Sequence, residues 1–277
     1  MALSIGPTGD ARLFNLLNNT DMLAVSQGLV EGATHDIKYF RNESIDNTGY
    51  KLLASDGVDS YPFFELASGV SLDIASDDAN DATGGTGART ATVYGLNAAI
   101  ELQQATVDLN GTTKVALPGT WAAVYRVRAG DIGTYDDSIV GDTNIGQLDV
   151  TINVTDTFVC SVPASEGSTF TSIRAVPSGH TMYVNNFNFS AGQNDNISVK
   201  VRAKDRMDIV TAPFGATRTI YTFDGRNANI LANTNGWIRL PEKTMLFCTA
   251  INNSNGNAKV SGSYETLLIN NAVYNIP

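Results

Sequence analysis

The stretch DIASDDANDATGGTGARTATVYGL, residues 73–96, sets Asp73, Asp77, Asp78 and Asp81 ahead of the run Gly84-Gly85-Thr86-Gly87. Clustered carboxylates can hold Ca2+, and glycine-rich loops can cradle phosphate on backbone N–H groups. An EF-hand loop needs acidic ligands at alternate positions and a distant bidentate Glu. Here Ala79 and Ala82 break the alternation and no Glu follows on schedule. An irregular Ca2+ site would have to use Asp77, Asp78, Asn80 and Asp81 with backbone carbonyls; the favoured reading is an Asx-rich turn with no metal. GGTGART matches neither G-x-x-x-x-G-K-[ST] nor G-x-G-x-x-G, and a strand-like segment follows it where a phosphate cradle needs a helix. The glycines are expected to let the backbone turn tightly.

Other residues that could do chemistry are scattered. His35 and His180 sit at strand entrances, with no second His at metal-ligand spacing from either. Asp136, Asp137 and Asp142 in TYDDSIVGD come nearest to a glycosidase-like carboxylate pair but read as a polar loop. No G-x-S-x-G elbow occurs. Cys160 and Cys248 read as small buried hydrophobes, with a disulfide or a reactive thiol as the alternative. The expectation is a chain that is not an enzyme and carries no cofactor. Trp121 and Trp237, if exposed, could stack on sugar rings, which keeps a glycan-binding module in view. Lys200, Arg202 and Lys204 alternate along one strand face, either as a guarded sheet edge or as a contact to an acidic neighbour. They are interface candidates.

These residues need a frame, and the frame has period two. GQLDVTINVTD sets Leu148, Val150, Ile152 and Val154 on one face, and NISVKVRAKD does the same with Ile197, Val199, Val201 and Ala203. TMYVNNFNFS stacks Tyr183, Phe187 and Phe189 on one side. In AIELQQATVDL the apolar parity flips, which a bulge near Gln103-Gln104 would explain. LNGT, VPSG, APFG and SNGN mark turns. The fold class is all-β: an antiparallel β-sandwich or jelly-roll-like body over 34–277, or two sandwiches joined near 155–168. An arm over 1–33 carries one short helix, with Asp10 as its cap and Leu13, Leu16 and Leu17 as interface candidates.

The chain has 277 residues, 43% of them hydrophobic, and a formal net charge of -10, so it buries a sizeable core and shows an acidic surface. That surface argues against nucleic-acid phosphates as a partner. No segment has the roughly 20 apolar residues of a membrane helix. MALSIGPTGDARLF lacks the basic segment and apolar run of a secretory leader.

Several segments, in order, resemble a family of tailed-bacteriophage virion structural proteins common in marine phages. They are GGTGARTATVYGLN, ATVDLNGTTKVAL, VYRVRAG, TNIGQLDVTI, TFTSIRAVPSGHTMYVNNF and RLPEKTMLFCTAINNSNGNAKVSGSYETLLI. The resemblance spans about residues 60–269, and its motifs are turns and strand entries. It implies an assembly role: a capsid-attached decoration, cement or head-fibre protein, or else a tail component. It also implies a homo-oligomer, trimer favoured, bound to major capsid or other virion proteins in a particle assembled in the host bacterial cytoplasm.

Overall fold

The computed structural model describes residues 22–54, 61–64, 69–132, 143–192, 195–209, 216–226, 230–232, 237–274 and 276. The period-two segments form strands. In chain order these are β1 (Ala33–Ile45), β2 (Lys51–Leu52), β3 (Leu72–Ser76), β4 (Ala88–Asn97), β5 (Leu102–Asp108) and β6 (Val115–Ala116). Next come β7 (Trp121–Ile132), β8 (Leu148–Ile152), β9 (Phe158–Val162), β10 (Arg174–Ala175), β11 (His180–Ala191) and β12 (Asn196–Lys204). The last are β13 (Thr217–Arg226), β14 (Ile230–Ala232), β15 (Ile238–Leu240), β16 (Met245–Asn252) and β17 (Ala258–Asn270). Two short helices, α1 (Met22–Ser26) and α2 (Asn271–Tyr274), flank them.

The chain is all-β, as expected, and its sheets are antiparallel. The jelly roll is not formed. A jelly roll divides its strands between two sheets, whereas these strands make four small sheets set in a ring. The first runs β1-β17-β11-β14, with β15 also on β11. The second runs β10-β16-β12-β13, with β2 on β16. The third runs β6-β3-β8-β9, and the fourth β5-β4-β7. Local pairing explains the division: β4 takes β5 and β7 as its two neighbours, and β8 pairs with the strands on either side of it, so those sheets close early.

Strand β16 shows how one sequence pattern serves two cores. Its even residues Leu246, Cys248 and Ala250 join a cluster with Phe40, Val184, Val199 and Tyr264, between the first and second sheets. Its odd residues Met245 and Phe247 join a second cluster with Trp121, Val93, Ile74 and Val150, under the third and fourth sheets. A strand buried on both faces reads as a continuous apolar run, and MLFCTAI is such a run.

Three parity expectations are corrected. Leu148 and Val150 are buried, but β8 ends at Ile152 and Val154 is 87% exposed. The chain turns there because Asn153 anchors to Asp73 (2.8 and 2.7 Å) and Asp156 takes a positive φ. Tyr183 lies on the opposite face of β11 from Phe187 and Phe189: it packs with Leu267 and Tyr274, while the two phenylalanines join the Phe40 core. A bulge between Asn185 and Asn188, with Asn186 at φ 54°, flips the parity. The bulge expected at Gln103-Gln104 is absent, since β5 pairs with β4 without a register shift. Ile100 is instead turned inward by a φ of 62° in the hairpin turn, and Leu102 is half exposed.

Helix α1 lies against its own body, with Val25 buried against Ala33, Leu267, Ile269 and Tyr274. Leu13, Leu16 and Leu17 lie outside the described residues, as do Asp136, Asp137 and Asp142.

Candidate functional site

The acidic loop is a structural tie. Asp81 is fully buried. Its Oδ1 accepts from the backbone N–H of Ala88 (2.8 Å) and of Ile145 (2.9 Å). Its Oδ2 accepts from Gly146 N–H (2.8 Å) and from the Ser76 hydroxyl (2.7 Å). One carboxylate thus gathers both flanks of the loop and a segment 64 residues further on. Asp77 accepts from Gln147 N–H (2.7 Å), and Asp78 closes an Asx turn on Asn80 N–H (2.7 Å). The glycines permit these approaches. A Cβ on Gly87 would stand 2.1 Å from Asp81 Oδ1, and one on Gly85 would stand 2.1 Å from the Asn80 carbonyl.

The cationic row lies on one face, as the spacing indicated, with Lys200 and Arg202 half-buried. Val199, Val201 and Ala203 point into the core. On the other face the Lys200 ammonium sits 3.9 Å from the Tyr50 ring centroid and the Arg202 guanidinium 5.3 Å from it. Lys204 is buried. Tyr50 therefore packs against two of these cations. His35 approaches Glu265 at 4.0 Å, and His180 Nδ1 contacts the Ser178 carbonyl at 2.9 Å. Cys160 and Cys248 form no disulfide and are both buried, one in each core. Trp121 is fully buried, and Trp237 packs against the cluster around Tyr274. Trp121 therefore offers no surface to a sugar.

The depression that stands open was not anticipated. On the outer face of the first sheet, Tyr39 pairs with Ser263, which pairs with Asn188; Arg41 pairs with Ser261, which pairs with Ser190. The middle strand thus presents two small hydroxyls, with Tyr39 and Arg41 on one side and Asn188 and Ser190 on the other, which makes a trough. Gly262 lies between the serines and faces inward, where a Cβ would stand 2.7 Å from Phe40 and 2.9 Å from Phe189. Its missing side chain lets those two rings meet at 6.0 Å. Phe170 forms a wall, with the Arg41 guanidinium stacked 4.5 Å from its ring centroid and ion-paired to Glu166. The trough encloses about 440 Å3, and Tyr39 at its rim is 60% exposed. The sequence signal is VSGSYE: a Gly between two small hydroxyl residues inside a strand marks thinning of the sheet surface.

A second pocket of about 260 Å3 adjoins the trough and shares Tyr39 and Phe170 with it. Lys38, Arg126 and Arg128 line it. Lys38 is 3% exposed, and its ammonium donates to the Tyr125 carbonyl. Burial holds the Lys38 ammonium well below the ordinary lysine range, and the nearby Arg126 and Arg174 charges push it further down. Arg126 pairs with Asp36 at 3.1 Å. Arg128 is exposed, with no carboxylate at ion-pair distance among the described residues.

No protein-family model and no curated protein matches this chain. Among solved structures it is similar to the T=1 particles derived from infectious bursal virus, at 12% identity over 88% of this chain and 71% of that one, with a TM-score of 0.25. It is similar to the infectious bursal disease virus VP2 subviral particle at 10% identity over 89% and 74%, TM-score 0.22. It is also similar to VP17, a capsid protein of bacteriophage P23-77, at 13% identity over 84% and 96%, TM-score 0.18. Scores this low assign neither a fold family nor a role.

Proposed function

We propose that this chain is a structural protein of a tailed-bacteriophage virion. Its role is that of a capsid-attached decoration, cement or head-fibre protein that binds neighbouring virion subunits and copies of itself. One observation carries this reading. The segments that resemble the phage family build the framework itself: β4, β5, β7, β8, the two-faced strand β16, and the backbone N–H groups of Ala88, Ile145 and Gly146 that Asp81 ties together. In the opening acidic stretch, carboxylates that could do chemistry are engaged in holding loops together. A net charge of -10 suits an outward-facing surface that repels packaged nucleic acid. On this reading the chain is not an enzyme.

Gold-labelled antibody against this chain on purified particles tests the proposal. Label distributed over heads is the expected result. Label on tails alone would move the chain to the tail, and unlabelled particles would remove the virion reading. A receptor- or glycan-binding module is the second reading, favoured by the open trough at Tyr39 rather than by either tryptophan.

A further inference from the structure

The trough and the cationic pocket adjoin, with Tyr39 and Phe170 in the lining of both. The geometry points to a binding site for an anionic saccharide. Sugar rings lie in the trough between Tyr39 and the serine floor, and a carboxylate or sulfate group reaches Arg128 in the pocket. This inference does not require the assembly role; it rests on the second, glycan-binding reading of the same trough and names its ligand class.

Size, chemistry and charge each select this ligand. A trough of about 440 Å3 with a side pocket of about 260 Å3 is of small-ligand dimensions. A stable protein partner needs a broader contact, roughly 800 Å2 on each side. A sugar ring has an apolar C–H face and a rim of hydroxyls. Tyr39 offers an exposed aromatic plate to the first, with a polar tip. Ser190, Ser261, Ser263 and Asn188 offer donors and acceptors to the second.

The charge is what makes the ligand anionic. The chain as a whole is strongly acidic, yet two guanidinium groups, Arg126 and Arg128, line this pocket, and of the two only Arg126 has a carboxylate partner among the described residues. The acids around it already have partners. Asp36 pairs with Arg126 (3.1 Å), Glu166 and Glu43 pair with Arg41, and Glu265 accepts from Asn186 (3.0 Å). Lys38 is fixed on a backbone carbonyl at the base, so the pocket is built rather than a chance meeting of flexible surface chains. Arg128 remains open to an oxyanion, and its planar fork matches a carboxylate or sulfate group in two hydrogen bonds.

Titration calorimetry on the whole chain tests the site with three probes: a galacturonic acid trisaccharide, a chondroitin sulfate tetrasaccharide and a neutral galactose trisaccharide. At least one anionic probe binds, the neutral one binds at least about tenfold more weakly, and added salt weakens the anionic binding. Tyr39→Ala and Arg128→Ala each weaken the anionic binding about tenfold. Both side chains are exposed, so thermal melting of the variants stays at the parent value and the loss is not one of folding. Binding of neither anionic probe, equal binding of the neutral one, or unchanged binding in both variants overturns the proposal. Sedimentation gives one further contrary outcome: if Tyr39→Ala breaks an oligomer and no saccharide binds, the trough is a contact between copies.

Discussion

Asp81 and Gly146 are joined by a 2.8 Å hydrogen bond across 65 residues of sequence. That bond fastens the loop between β3 and β4 to the entry of β8, so the third and fourth sheets share one buried carboxylate. Asp81→Ala leaves three backbone N–H groups and the Ser76 hydroxyl without their acceptor in a dry site. Destabilisation of about 4 kcal/mol is expected, against about 1 kcal/mol for Ser76→Ala, which removes one donor. Urea unfolding curves measure both. Equal effects would show that the carboxylate is not the hub.

Gly87 and Gly146 should resist any side chain. Alanine at Gly87 brings a methyl group to 2.1 Å from Asp81 Oδ1, and alanine at Gly146 brings one to 2.2 Å from Asp77 Oδ1. Each substitution is expected to cost about 3 kcal/mol through displaced, fixed neighbours. Gly49→Ala, with nothing within 4 Å of its added carbon, is the control and leaves the melting temperature near the parent value.

The buried lysine gives a pH signature. The folded state holds the Lys38 ammonium below its ordinary range, chiefly through burial. Between the folded value and the ordinary lysine value of 10.5, the unfolded chain therefore binds more protons at this site than the folded one. Stability contributed by Lys38 rises with pH through that window and falls as pH drops through the folded value. The slope is at most about 1.4 kcal/mol per pH unit for one proton. Lys38→Met removes it. Denaturation across the alkaline range, compared between parent and variant, measures the difference. The comparison is needed because Tyr61 and Tyr264, whose hydroxyls burial lifts well above their ordinary value, lose stability at the top of the same range. Identical pH profiles would show that Lys38 is not desolvated.

The thiols should be silent in the native state. Cys248 is fully buried, and burial raises its thiol far above the ordinary range, so almost no thiolate is available for attack. Cys160 is buried in the other core. A thiol reagent at neutral pH is expected to label both only after denaturation. Fast native labelling of Cys248 would mean that the Phe40 core opens readily.

The sequence made the strands legible where one face is buried, as at Val199, Val201 and Ala203. It failed where a single residue resets parity. Asn186 and Ile100 take positive φ values that carry no period-two signal, and Val154 continued a pattern after its strand had ended. The jelly roll was the wrong outcome because alternation gives each strand two faces without saying how many sheets share them. MLFCTAI shows the same gap: one apolar run, two separate cores. The role of Asp81 was hidden because its partners Ile145 and Gly146 are remote in sequence. The trough escaped notice because small residues in a strand look like weakness unless the neighbouring strands are known to set Tyr39 and Asn188 beside them.

The assembly role is tested most directly by a reconstruction of the intact particle at a resolution that shows strands. The account predicts repeated copies of this chain at symmetry-related positions on the outer capsid surface, making contacts with the shell and with one another. A particle whose density is fully explained without the chain, with the chain left free in the lysate, would contradict it.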